Sequence, residues 1–130
     1  MDEVKILVVE DERGVLEVIK NCLLRFVQAQ VFEADNAEEA IRVMKENDLD
    51  LVILDIKMPG KSGIDVMREV KETKELPDIL VVTAYDSAAV AAQVIKEGAV
   101  DYMTKPIVAE TLMLKVENIL SPKGKYLEKK

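Results

Sequence analysis

Polar residues that could do chemistry stand at the ends of apolar runs. Glu10-Asp11-Glu12 follow Ile6–Val9, Asp55 follows Leu51–Leu54, Thr83 follows Ile79–Val82, and Lys105-Pro106 follow the weaker run Val100–Met103. Carboxylates on neighbouring strands, ~4.8 Å apart, repel one another unless a proton or cation neutralises them. Mg²⁺ suits such a cluster, since it takes a few carboxylates, waters and a phosphate oxygen. Lys105 adds a second positive group, Thr83 a hydroxyl and Asp55 a carboxylate nucleophile. The chain has 0 His, which removes Ser-His-Asp and Cys-His catalysis, His-ligated zinc and any role as a histidine phosphodonor. Phosphoryl transfer fits this inventory, because it needs positioning and charge neutralisation more than acid–base work. Taken singly, each residue has a plainer role. Asp55 or the acidic triplet could cap a helix, Thr83 could sit in a turn, and Lys105 could be a surface charge. Their joint placement at four strand ends argues for a site.

The elements that must position them are legible in the apolar spacing. The tetrads Ile6-Leu7-Val8-Val9, Leu51-Val52-Ile53-Leu54 and Ile79-Leu80-Val81-Val82 are short and rich in branched residues, as parallel strands buried on both faces require. Gln30–Ala34 and Val100–Met103 have mixed polarity and are expected nearer the sheet edges. Between them, apolar residues recur at helical spacing: Val15, Leu16, Ile19, Leu23 and Val27; Ala37, Ala40, Ile41 and Met44; Ile64, Met67 and Val70; Ala91, Val94 and Ile95; Leu112, Val116, Ile119 and Leu120. Asn36 with Glu39 resembles a capping box, and Gly98 is placed to end the fourth helix. Five strand–helix units predict an α/β fold: a doubly wound, five-stranded parallel sheet with right-handed crossovers and helices on both faces. Ligands in such folds bind beyond the carboxyl ends of the strands, where the strand order reverses.

With 130 residues, the chain has room for one domain and not for two. No apolar run approaches the ~20 residues that span a bilayer, and the start lacks the layout of a signal peptide. The single cysteine, Cys22, fits a reducing compartment, so a cytoplasmic location is expected. The net charge of -7 argues against nucleic-acid binding by this domain. That charge is uneven: residues 121–130 carry +3 and the rest -10. Ser121-Pro122-Lys123-Gly124 reads as a helix stop. The expected organisation is therefore one domain over 1–120 and a basic tail or linker start over 121–130.

Val9-Glu10-Asp11-Glu12, Leu54 to Gly63 (LDIKMPGKSG), Val82-Thr83-Ala84 and Gly98 to Pro106 (GAVDYMTKP) resemble, in order and spacing, the signature blocks of response-regulator receiver domains of two-component signal transduction, the chemotaxis-regulator type included. The resemblance covers about residues 4–120 and implies a flavodoxin-like strand order 2-1-3-4-5. It also implies that Asp55 takes a phosphoryl group from a phosphohistidine of a sensor histidine kinase. Asp11 and Asp55 would ligate Mg²⁺ directly, Glu10 mainly through water, and Lys57 through its backbone carbonyl. Lys105 would pair with a carboxylate at rest and with phosphoryl oxygens afterwards, across a cis bond to Pro106. Thr83 would move toward the phosphoryl group and Tyr102 would turn into the space it leaves. Such a protein is a phosphoacceptor switch, not an enzyme with a separate substrate. Its fourth helix, fifth strand and fifth helix would carry the signal to partners or an attached output domain, and are a candidate homodimer surface.

The family more often carries Asp-Asp where this chain has Glu10-Asp11. Lys57 and Tyr85, two beyond Asp55 and Thr83, would border the path of hydrolytic water and shield the phosphoryl group, which predicts slow self-dephosphorylation. Three rivals fit less well. A haloacid dehalogenase-type phosphatase needs a second acid where Lys57 stands. A nucleotide- or flavin-binding module needs a Gly- or Ser/Thr-rich loop where the acidic triplet stands. A pseudo-receiver would have lost at least one of Asp11, Asp55, Thr83 and Lys105.

Overall fold

A computed structural model describes residues 3–126 and Glu128. Strands β1 (Val4–Val9), β2 (Ala29–Ala34), β3 (Leu51–Leu54), β4 (Ile79–Thr83) and β5 (Asp101–Thr104) form one sheet of order β2-β1-β3-β4-β5. All four strand pairings are parallel. The two strands of mixed polarity are indeed its edges. Helices α1 (Arg13–Phe26), α2 (Ala37–Glu46), α3 (Gly63–Lys71), α4 (Ala88–Glu97) and α5 (Ala109–Leu120) alternate with the strands. This is the expected flavodoxin-like order.

Side chains of a strand alternate between faces, so each apolar tetrad feeds two cores. Leu7, Val9, Val52, Leu54, Ile79 and Val81 pack with Met44, Val66, Met67 and Val94 from α2, α3 and α4. Ile6, Val8, Leu51, Ile53, Leu80 and Val82 pack with Leu16, Ile19, Leu23, Leu112 and Val116 from α1 and α5. Because helices cover both faces, no polar residue interrupts the tetrads. Cys22 is half-buried against the α1–α5 side, where it serves as a small hydrophobe. Among the described residues no helix is long and apolar enough to cross a membrane.

Chain punctuation sets the helix ends. Asn36 caps α2 by accepting from the Glu39 N–H at 2.9 Å, one half of the expected box. Both halves are made instead at the start of α3, between Ser62 and Asp65. Gly98 ends α4 with φ 124°, a conformation that favours glycine. After α5, a 3₁₀ turn at Ser121–Lys123 brings the chain back under the sheet. Lys123 Nζ reaches Asp78 Oδ2 at 2.8 Å and the Asp50 carbonyl at 2.9 Å. Tyr126 packs on the α1–α5 core and Glu128 pairs with Val27. The Lys-rich segment thus lies against the domain as far as it is described.

Candidate functional site

β1 and β3 are adjacent, and from them the chain winds outward in opposite directions, which opens a crevice at their carboxyl ends. The loops after β1, β3 and β5 meet there. Asp55 follows β3 and is 3% exposed. Its N–H donates to the Val9 carbonyl at 3.0 Å, which fixes the loop to the end of β1. Its Oδ1 accepts the Lys57 N–H at 2.9 Å and its Oδ2 accepts Lys105 Nζ at 3.0 Å. Gly63 supports this loop from below. A Cβ there would stand 2.7 Å from the Ile56 Cα and 2.8 Å from the Asp55 carbonyl oxygen, so only glycine lets α3 approach.

Glu10, at the end of β1, is 1% exposed. Its Oε2 accepts the Glu12 N–H at 3.1 Å. Its Oε1 lies 2.8 Å from Lys105 Nζ, close enough for an ion pair but off the line of a hydrogen bond, so that oxygen has no aligned donor. Burial pushes the Glu10 carboxyl up to about 7 and the Asp55 charge adds to this, while the Lys105 ammonium and the Glu12 N–H hold it back. For Lys105, burial opposes the charged form, yet the neighbouring Glu10 and Asp55 carboxylates outweigh that and hold the ammonium well above the ordinary lysine range. Glu12 Oε1, 3.6 Å away, completes the acidic surroundings of Lys105, a contact the sequence did not suggest. The Lys105–Pro106 peptide is cis, as expected.

Asp11 is exposed at the mouth, and one carboxylate oxygen each from Glu10, Asp11 and Asp55 lies within 4.8 Å of the others. Three acids so close, one with an orphaned buried oxygen and a raised pKa, fit a divalent cation. The cavity above them, of ≈ 420 Å³, is bordered by Asp11, Asp55, Lys57, Ala84 and Lys105. Lys57 Nζ sits over the Tyr85 ring, 5.4 Å from its centroid.

Thr83 and Tyr102 lie further along the same rim. Thr83 closes β4 and is fully buried. Its Oγ1 accepts the Tyr85 N–H at 3.5 Å. Tyr102, half-buried on β5, donates its hydroxyl to the Tyr85 carbonyl. Sequence reading singled out both residues but not the backbone of Tyr85, which they share. Only a long-range contact reveals it.

Residues 6–117 match the response regulator receiver domain model. The chain is 38% identical over 119 residues to the transcriptional regulatory protein ResD of Bacillus subtilis (strain 168), covering 92% of this chain and 49% of ResD. It is 32% identical over 125 residues to the transcriptional regulatory protein CiaR of Streptococcus pneumoniae (strain ATCC BAA-255 / R6), covering 96% and 55%. The chain thus spans about half the length of these curated relatives. A response regulator receiver domain protein from Clostridium thermocellum superposes with TM-score 0.81 at 34% identity, over 93% of this chain and 97% of that one. A LuxR-family two-component response regulator from Aurantimonas sp. SI85-9A1 gives TM-score 0.84 at 29% identity, over 97% and 89%. The chain belongs to the response regulator receiver domain family, the phosphoryl-accepting switches of two-component signalling.

Proposed function

We propose that Asp55 is the phosphoacceptor and that a sensor histidine kinase is the donor. The observation that carries this is the convergence of Lys105 on two buried carboxylates, Glu10 at 2.8 Å and Asp55 at 3.0 Å. A buried acid pair held by one lysine is poised to exchange partners when a phosphoryl group arrives. Asp55 Oδ2 gives up Lys105 on attacking phosphorus, while the P–N bond of the kinase phosphohistidine breaks and its electron pair leaves on the imidazole nitrogen. The ammonium is then free to neutralise a phosphoryl oxygen. Asp55 Oδ1 stays tethered by the Lys57 N–H, which keeps the carboxylate oriented. Glu10, Asp11, Asp55 and the Lys57 carbonyl are the residues that would hold Mg²⁺. When bound, that ion offsets the charge of the acids and of the incoming phosphoryl group.

Thr83 and Tyr102 would transmit the change to the face made by α4, β5 and α5. Ile95 of α4 (47% exposed), Val108 just ahead of α5 (54%) and Leu114 of α5 (57%) leave apolar surface there. That face is the proposed contact for a second copy, a partner or an attached output domain. The cytoplasm, where such kinases present their phosphohistidine, is the proposed location, with no nucleic acid or membrane contact by this domain.

Intact-mass measurement after incubation with Mg²⁺ and a small acyl phosphate, or with sensor kinases if small donors fail, tests the reading. One added phosphoryl group, absent in Asp55→Asn and absent with EDTA, is the expected result. No gain from any donor would refute it and favour a pseudo-receiver.

A further inference from the structure

α4 is held unequally at its two ends. Only Val94 of its ten residues is buried, and Ala88, Ala89 and Ala92 face solvent. Its far end is clamped. Glu97 Oε2 accepts Arg68 Nε at 3.0 Å and Nη2 at 2.6 Å, both from α3. Lys71, one turn on, donates to the Glu97 carbonyl at 2.6 Å and to Oε1 at 3.2 Å. Below the clamp, the Ala99 N–H returns to the Val94 carbonyl at 3.0 Å and the Val100 N–H donates to the Ile79 carbonyl at 2.8 Å. Side chain, main chain and sheet therefore fix the same point.

The entry to α4 lacks such a polar clamp and meets the core through half-buried Val90. Ser87 caps it through the Val90 N–H at 3.4 Å. Ahead of the cap, Tyr85 gives its N–H to Thr83 Oγ1 and its carbonyl to the Tyr102 hydroxyl. The first bond, at 3.5 Å, is already at the limit of a hydrogen bond. A small movement of the Thr83 hydroxyl breaks it, and an inward turn of Tyr102 removes the second. Both residues of the proposed switch hold one backbone unit, the one that leads into α4.

We propose that α4 is a lever whose fulcrum is Glu97, gripped by Arg68 and Lys71, and whose free end is released at Tyr85 by Thr83 and Tyr102 together. The inference rests on the phosphoacceptor reading above and adds what that reading lacks: where the moving helix pivots. Arg68 and then Lys71 hold the Glu97 carboxyl down at about 2, so the grip persists across the neutral range. Hinges of this kind concentrate a change at a few residues while the element between them stays rigid.

A rigid pivot has a graded signature. At ~1.5 Å per residue, Ala89 stands about 12 Å from Glu97 and Gln93 about 6 Å, so Ala89 should move about twice as far as Gln93. Lys96 should scarcely move. Spin-label distances would be measured on the full chain carrying Cys22→Ser, with one label on exposed Asn118 of α5 and the other at Ala89, Gln93 or Lys96. Each is recorded before and after an acyl-phosphate donor or kinase with Mg²⁺, and the added phosphoryl mass is checked in the same sample. A mass gain with the roughly twofold gradation supports the lever. A mass gain with equal displacements, or with none, overturns the lever and leaves the phosphoacceptor reading standing. No mass gain from any donor removes that reading and the lever with it. In Arg68→Ala/Lys71→Ala, whose folding is checked by its melting curve, the main-chain ties remain, so Lys96 should move further than in wild type and the gradation from Ala89 should flatten. Unchanged gradation in that variant would overturn the fulcrum.

Discussion

Replacing Glu10 by Gln should stabilise the metal-free protein at alkaline pH and leave it unchanged at acid pH. The Glu10 carboxyl is raised from its ordinary 4.5 to about 7, chiefly by burial. At ~1.4 kcal/mol per tenfold change in proton affinity, that difference is about 3 kcal/mol. The folded state binds this proton more tightly than the unfolded one. The associated stability is therefore fully present below about 4.5 and is lost as pH rises through about 7. With 0 His in the chain, no imidazole titrates in that window. The acids held low by ion pairs, Glu33, Glu69 and Glu97, change their contribution below it. Urea unfolding in EDTA should thus show wild type losing stability between pH 5 and 8 while Glu10→Gln stays nearly level. At pH 8 the variant's midpoint should lie roughly 1–3 M higher, for slopes of ~1–3 kcal/mol per M. Mg²⁺ should narrow the gap, because a cation offsets the same charge as the proton. Parallel profiles for the two proteins, or a variant no more stable at pH 8, would refute this account of the acid cluster.

Two further outcomes follow from contacts near Asp55. Gly63→Ala should cost about 3 kcal/mol, the upper end of overpacking penalties, because its Cβ would meet backbone atoms at 2.7 and 2.8 Å. It should also slow phosphoryl uptake at Asp55, and urea midpoints within error of wild type would count against it. Tyr85→Ala removes the ring under Lys57 and should shorten the life of the phosphorylated protein several-fold in a mass time course. An unchanged decay would mean that the pair shields nothing.

The parts of this molecule that were legible in its sequence are those with local periodicity. The tetrads marked β1, β3 and β4 because residues buried on both faces must all be apolar. Their ends were not legible: β1 begins earlier, at Val4 and the half-buried Lys5, and β5 begins at Asp101 because Val100 lies outside the strand with 47% exposure. Polar signals were less certain. Asn36–Glu39 and Ser62–Asp65 both have residues able to cap and return, yet only the second makes both bonds. At the site, residue types and strand ends brought Glu10, Asp11, Asp55 and Lys105 together, since topology alone forces those ends to meet. Contacts that tie distant polar groups had no such signature. Arg68 with Glu97, and Lys123 with Asp78, are separated by 29 and 45 residues and leave no periodic mark.

The return of the chain beneath the sheet bears on the use of receivers as exchangeable modules. Lys123 closes on Asp78 and the Asp50 carbonyl, at the amino ends of β4 and β3, while Asp50 itself accepts the Lys5 N–H at 2.8 Å. A splice after Leu120 would keep every strand and long helix, yet it would take away the cation shared by those strand entrances and bare the apolar wall under Tyr126. A graft made beyond Glu128 carries its own floor with it.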